Sequence, residues 1–416
     1  KEPALVEAIQ ADAGIDIGGT DIKAAVAADG RLVCVKEYDW NPAASPTAKG
    51  IIAPIELLVR LMACCAAGLT PALERALDKN AGDAVMAQAV AESLSVPLDV
   101  LGVSFPDVVI RNRIVGGETY KTRGMRENAA LDYEAQFAKI TDLCMLLQAY
   151  TVPGGVVMNT NDGPMAAFTA AVEQAAAGAD VSKGFFAHTL GTELGTGWVR
   201  PDGSIPEIPL EVYNFIIDLG SFRQKQYDAN DVRSINNFNT LLPGTLQKYT
   251  CQSGVFRLAA RDLPVQDAAA YEEAIARGLL LPQGDRLIVP TEPKDMRKPC
   301  LEYFMDKAAD PAHPACAEIF RQIGEYLAVA WSETQYILLP ETPDRTLFGR
   351  LVKNPVCFDL MCQGAARREP RLHQYAADGG LANTALMCQL DSHPDYTVAQ
   401  FAQAVGAIFY GCMGLL

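Results

Sequence analysis

Asp16 and Asp162 are the two carboxylates in this sequence whose surroundings could do chemistry. Asp16 interrupts the apolar run Gly14-Ile15-Asp16-Ile17, just ahead of Gly18-Gly19-Thr20. A two-glycine turn lets backbone N–H groups approach a phosphate with no Cβ in the way, and a carboxylate beside it can hold a metal ion through its waters. A plain β-hairpin would read the same way locally. Asp162 follows Asn161 and precedes Gly163-Pro164 at the start of an alanine-rich run. There it is either a helix N-cap or a general base for an attacking hydroxyl. A second glycine turn, Leu190-Gly191-Thr192-Glu193-Leu194-Gly195-Thr196-Gly197, separates two further apolar runs. Phosphoryl transfer asks for such a set, because it needs charge neutralisation and in-line placement more than covalent help.

The elements that must position these groups can be read from periodicity. Strands are expected near 13–18, 22–28 and 31–38, with Asp29-Gly30 as a tight turn. Residues 47–67 are long and apolar enough for a buried helix, and 70–95 are helical in composition. Val96 to Phe105 reads as a strand ending in Ser104-Phe105-Pro106-Asp107, which puts another acid at the carboxyl edge of a sheet. Residues 108–128 read as irregular and 131–149 as helical. After Pro153-Gly154-Gly155 the pattern restarts: a strand through Met158, a helix capped by Asp162 to about 177, a strand from Phe185 to Leu190 and a return strand at Trp198-Val199. Residues 316–337 form an amphipathic helix with Ile319, Ile323, Leu327 and Trp331 on one face. Thr346 to Gly349 is a short strand entering a turn. A last helix, about 397–412, turns Phe401, Val405, Ile408 and Phe409 inward.

At 416 residues the chain exceeds one ordinary core. The expected division is 1–157, completed by a C-terminal helix at about 397–416, and 158–396, with an insertion at about 218–300. The strand, glycine turn and strand theme occurs twice, as two related halves would require. A formal charge of −15 disfavours a nucleic-acid partner. No apolar run reaches the roughly 18 residues of a membrane span, so no membrane partner is expected. The first ten residues carry Glu2 and Glu7 and no apolar signal core. The 11 cysteines show no CxxC spacing and the four histidines do not cluster with them. Reduced thiols in a cytoplasmic protein without structural zinc are the expectation.

The order of these motifs resembles the ASKHA superfamily of sugar kinases, hexokinases, actin and large heat-shock chaperones. More narrowly it resembles the ROK family of bacterial sugar kinases and sugar-responsive repressors. Asp16-Ile17-Gly18-Gly19-Thr20 is similar to that family's DIGGT motif, Asn161-Asp162 to its Asn-Asp pair, and 190–197 to its LGTGxGxG phosphate motif. The likeness is good over about 14–200 and loose elsewhere. It implies an α/β fold of two ribonuclease-H-like, actin-like ATPase domains, each a mixed five-stranded sheet with flanking helices, with a cleft between them. It further implies ATP and Mg²⁺, with Asp16 holding the metal through water. Gly18, Gly19, Thr20, Lys23, Gly191, Thr192, Gly195 and Gly349 would lie against the nucleotide. Asp162 would be the general base. Asn128, Asn161, Asp162, Glu207 and Glu211 would meet a sugar. A homodimer is expected on the family pattern alone.

Several features depart from that pattern. Pro206-Glu207-Ile208-Pro209-Leu210-Glu211 lacks the family's histidine, and its cysteine-rich zinc loop is missing. Asp21 adds a carboxylate beside the first turn, which would repel phosphate unless metal-bound. Arg350 follows Gly349 where the family carries a second glycine. Lys121, Arg123 and Arg126 are either a solvated face or a contact for an anionic substituent of the substrate. Three readings remain open on these residues: an ATP-dependent sugar kinase, a non-catalytic sugar-binding regulator on the same scaffold, and a transferase using another phosphoryl donor.

Overall fold

In the computed structural model, residues 9–116, 121–191, 194–219, 227–237, 240–376 and 381–416 are described. Contacts divide the chain into two compact units. The first comprises Lys1–Val181, Ile205–Pro209 and Gly379–Leu416; the second comprises Ser182–Ser204 and Leu210–Asp378.

The first unit is built on strands β1 (Ala11–Ile17), β2 (Asp21–Ala28), β3 (Arg31–Asp39), β4 (Leu98–Phe105) and β5 (Thr151–Asn161). Their order in the sheet is β3-β2-β1-β4-β5. The β1–β2 and β2–β3 pairs are antiparallel, while β4 runs parallel to both β1 and β5. Alternation splits the side chains between two faces. Ile15, Ile17, Ile22 and Val26 join the core under helix α1 (Ala48–Ala67); Ala25 and Ala27 face the C-terminal helix.

Helix α1 corrects one sequence expectation. By length and composition it is apolar enough to cross a membrane. Here Leu58, Leu61, Met62 and Cys65 are fully buried core side chains of this unit. Thr47 caps its start by accepting a hydrogen bond from the Gly50 N–H.

The opposite face carries helices α2 (Asp162–Ala176) and, at the far end of the chain, Val398–Met413. The latter approaches the sheet backbone to backbone at Gly14 and Gly102, which are register partners in β1 and β4. A Cβ on Gly14 would lie 1.9 Å from the Ala404 carbonyl oxygen, and one on Gly102 1.6 Å from that of Ala407. Only glycine at both positions allows the helix to sit this low.

The second unit holds strands β6 (Phe185–Leu190), β7 (Leu194–Val199), β8 (Asp344–Phe348) and β9 (His373–Ala376), in the order β9-β8-β6-β7. Among the described residues this sheet has four strands, not five. The residues after β7 carry Pro201, Pro206 and Pro209, which remove ladder donors where a third antiparallel strand would run. The expected insertion forms a helical layer, including Cys251–Gln266 and Arg297–Ala309. It shares one core with helices α3 (Pro314–Leu338) and α4 (Pro355–Arg368). The C-terminal helix is named α5 below.

Three local expectations differ from what is found. The first unit runs on to Val181, past the division expected at 157/158. Pro153-Gly154-Gly155 lies inside β5, an edge strand that tolerates proline, and an irregularity in its pairing with β4 absorbs the extra residues. Residues 108–128 are not wholly irregular: Val108–Ile110 and Arg113–Gly116 form a hairpin, and Arg123–Glu127 a short helix. None of the 11 cysteines is in a disulfide.

Candidate active site

In the first unit, the carboxyl ends of β1, β4 and β5 bring Asp16, Ser104, Asp107, Asn161 and Asp162 to one sheet edge. Asp16 and Ser104 are register neighbours on the parallel pair β1–β4. The Ser104 hydroxyl is fully buried and hydrogen-bonds the Asp16 carboxyl. Burial is nevertheless the dominant influence on Asp16. Together with the charge of Asp162 it pushes the Asp16 pKa from its ordinary 3.8 up to about 7, against the opposing pull of Ser104 and Lys23.

Asn161, not Asp162, is the N-cap of α2. Its Oδ1 accepts from the Gly163 N–H at 3.0 Å while its Nδ2 donates to the Asp107 carbonyl at 2.9 Å. Asn161 therefore locks the start of the helix to the end of β4. That leaves Asp162 as the first residue of the helix, with its side chain reaching solvent. Its Oδ1 also accepts from the Gly163 N–H, at 2.9 Å. Desolvation by the surrounding chain still holds its pKa above the usual carboxylate range, opposed first by the Lys121 ammonium.

Lys121 is the member of the basic run that belongs to the site. Its Nζ donates to the Pro106 carbonyl at 3.1 Å, and its stem crosses Gly19. A Cβ on Gly19 would sit 3.4 Å from Lys121 Cε. Arg126 instead donates to the Tyr133 hydroxyl and lies over that ring, and Arg123 is 3.9 Å from Glu127. An apolar crevice adjoins Asp107 and Lys121, lined by Trp40, Pro42, Phe105 and Pro106.

The first glycine turn is closed by its own backbone, with the Gly18 N–H donating to the Asp21 carbonyl at 2.8 Å. Trp40 supports it: its backbone N–H donates to the Thr20 carbonyl and its indole N–H to that of Gly18, both at 3.0 Å. The Thr20 side chain is exposed. Asp21 is ion-paired with Lys23, so the extra carboxylate of the departure is partly neutralised within the hairpin.

The glycines of the second turn lie in the second unit. Gly195 pairs with Thr189 across the β6–β7 hairpin. The Gly191 carbonyl accepts from the Gln252 N–H at 3.1 Å. Gly349 has φ +107°, and a Cβ there would lie 2.4 Å from the Leu190 carbonyl oxygen. The end of β8 is therefore pressed against the end of β6, beside Gly191. Thr192 lies outside the described residues.

Of the expected sugar-binding residues, Asn128 and Glu207 are held by partners of their own. Asn128 has both ends of its amide in local bonds: Nδ2 donates to the Pro46 carbonyl at 3.0 Å, and Oδ1 accepts from the Ala130 N–H at 3.1 Å. The Glu207 carboxylate accepts from the Arg111 N–H at 2.6 Å, in the turn of the 108–116 hairpin. Glu207 lies in the segment Ile205–Pro209 of the first unit, whereas Glu211 lies in the second.

Sequence reasoning missed Ser104 as a partner of Asp16 and missed Gln403 altogether. Gln403 Nε2 donates to Ser104 Oγ at 2.9 Å and to the Asp162 carbonyl at 3.1 Å. The available signal was an amide standing between Ala402 and Ala404, past the capping Gln400, in a mostly apolar helix.

A hydrated Mg²⁺ fits what is present here. Asp16 is a recessed hard-oxygen donor destabilised by a neighbouring carboxylate, which a divalent cation would relieve. Among the described residues no group of three or more His, Cys, Asp or Glu could hold a metal outright. The chain would thus offer a carboxylate, leaving other positions to water and phosphate oxygens.

The fold is the two-domain, actin-like ATPase fold of the ROK sugar kinases. Among solved structures, the chain is similar to a ROK family glucokinase from Streptomyces griseus in complex with glucose and AMPPNP. The two are 16% identical with a TM-score of 0.53, over 98% of this chain and 100% of that one. It is also similar to a ROK family protein from Streptococcus pneumoniae TIGR4 in complex with sucrose (13% identity, TM-score 0.51, 98% and 99% covered). A glucokinase from Balamuthia mandrillaris in complex with glucose matches at 10% identity and TM-score 0.51, with 98% and 95% covered. No protein-family model matches the sequence, and no curated protein matches it.

Proposed function

We propose that this protein is an ATP-dependent sugar kinase in which Asp162 accepts the proton of the attacking hydroxyl. One observation carries the reading: Asp162 begins a helix beside a recessed Asp16, and Lys121, whose stem crosses the glycine turn, is the main positive charge acting on Asp162. A base poised above the ordinary carboxylate range is better matched to work near neutral pH. Lys121 supplies a positive charge at the edge where phosphate charge would develop.

Asp16 would hold Mg²⁺ through water, and the metal would neutralise phosphate oxygens when bound. Gly18, Gly19, Thr20, Lys23, Gly191, Thr192, Gly195 and Gly349 would lie against the nucleotide, as the resemblance implies. Asn161 would position both the base and the sugar, with Glu207 and Glu211 as further hydroxyl partners. Glu207 reaches a sugar only by exchanging its bond to Arg111. The basic run gives no support to an acidic substrate, because Arg123 and Arg126 have partners on their own surface.

The test is a coupled ADP-release screen over a sugar panel, paired with calorimetric titration of ATP and Mg²⁺. Sugar-dependent turnover that Asp162→Asn lowers by about 10²- to 10⁴-fold, with binding retained, is the expected result. Sugar binding without ATP affinity would replace this reading with that of a non-catalytic sugar-binding protein.

A further inference from the structure

We propose that Gln403, on the C-terminal helix α5, is a positioning residue that ties the first turn of α2, which carries Asp162, to the end of β4. Its kinetic consequences rest on the kinase reading; its structural consequences do not.

Both hydrogens of the Gln403 amide are committed, one to Ser104 Oγ and one to the Asp162 backbone carbonyl. The opposite amide orientation would set its oxygen against that carbonyl, so the geometry dictates the assignment. A chain of hydrogen bonds therefore runs from the start of α2, through Gln403, to Ser104 at the end of β4. It joins two elements by way of a third that is distant in sequence.

Two features make this chain exact in reach. The glycine pair Gly14 and Gly102 lets α5 sit directly on the sheet. Gly406 does the same against α2, where a Cβ would lie 1.8 Å from Thr169 Oγ1. With α5 seated on both, Gln403 bridges them without a gap. Without the amide the first turn of α2 loses its tie to β4 on this side.

The experiment compares wild type, Gln403→Leu, Ser104→Ala and the double variant. Gln403→Leu is expected to fold, to keep KM for ATP and sugar within about twofold, and to lose about 10- to 100-fold in kcat, the signature of a misplaced reacting group. The double variant should lose no more than the worse single, because both act through one chain. Independently of turnover, amide hydrogen exchange of nucleotide-free protein should be faster at the first turn of α2 in Gln403→Leu than in wild type. A folded Gln403→Leu with wild-type kcat, additive losses, or unchanged exchange at that turn would each overturn the proposal. If Gln403→Leu does not fold, Ser104→Ala carries the test, and a wild-type kcat there overturns it. If wild type turns over no sugar, the kinase reading fails and the exchange alone decides this one.

Discussion

Asp16→Asn should make the protein more stable while removing its activity, and the gain should grow with pH. In the folded chain the Asp16 pKa rises from 3.8 to about 7, chiefly through burial. The folded state then binds the proton more tightly than the unfolded chain. Stability contributed by this group is complete below pH 3.8, falls as pH rises from there to about 7, and is flat above. At about 1.4 kcal/mol per tenfold, the whole rise corresponds to about 4 kcal/mol. The carboxyl is only partly enclosed, so about half of that, roughly 2 kcal/mol, is the expected penalty at pH 8. Asparagine keeps an oxygen to accept from Ser104 and removes the charge, so most of this penalty should be recovered. Urea unfolding at pH 8 and pH 5, followed by Trp40 fluorescence in a Trp198→Phe/Trp331→Phe background, reads the first unit alone. Asp16→Asn should gain roughly 1 kcal/mol more at pH 8 than at pH 5. An equal gain at both pH values, or a loss at pH 8, would refute the account of Asp16 as a recessed carboxylate lacking a sufficient counter-charge.

Other substitutions probe the remaining supports. Lys121→Met removes the main charge holding down the Asp162 pKa, so the acidic limb of the kcat/KM profile should move to higher pH, measured with the sugar found in the panel. Gly102→Ala places a Cβ 1.6 Å from the Ala407 carbonyl oxygen; urea titration should show a loss of about 3 kcal/mol or more as α5 lifts from the sheet. Glu173→Gln should cost about 2–3 kcal/mol in the same assay, because its fully buried carboxylate accepts from the Asn383 and Thr384 N–H groups and the Thr384 hydroxyl.

What the sequence determined by itself is local. Alternating apolar residues around Asp29-Gly30 are enough to set the first hairpin, because a strand's period and a turn's torsions are properties of neighbouring residues. The same holds for α1, α3 and α5, whose apolar spacing spans several turns, and for the place of Asp16 and Asp162 at the ends of a strand and the start of a helix. The glycines of the two turns were legible as glycines, but not what each one packs against. That Gly349 presses on Leu190 depends on β8 lying parallel to β6, about 160 residues earlier in the chain.

Only the tertiary structure decided which partners those groups have. It made Asn161 the cap in place of Asp162, drew Lys121 out of a basic run to cross Gly19, and committed Asn128 to a loop. It set the C-terminal helix hard against the sheet at Gly14 and Gly102. That packing alone brings Gln403 to Ser104 and Asp162, 299 and 241 residues away in sequence. Hydrogen bonds across such separations follow from how elements dock, and docking depends on side-chain volume at a few contact points that no periodicity reports.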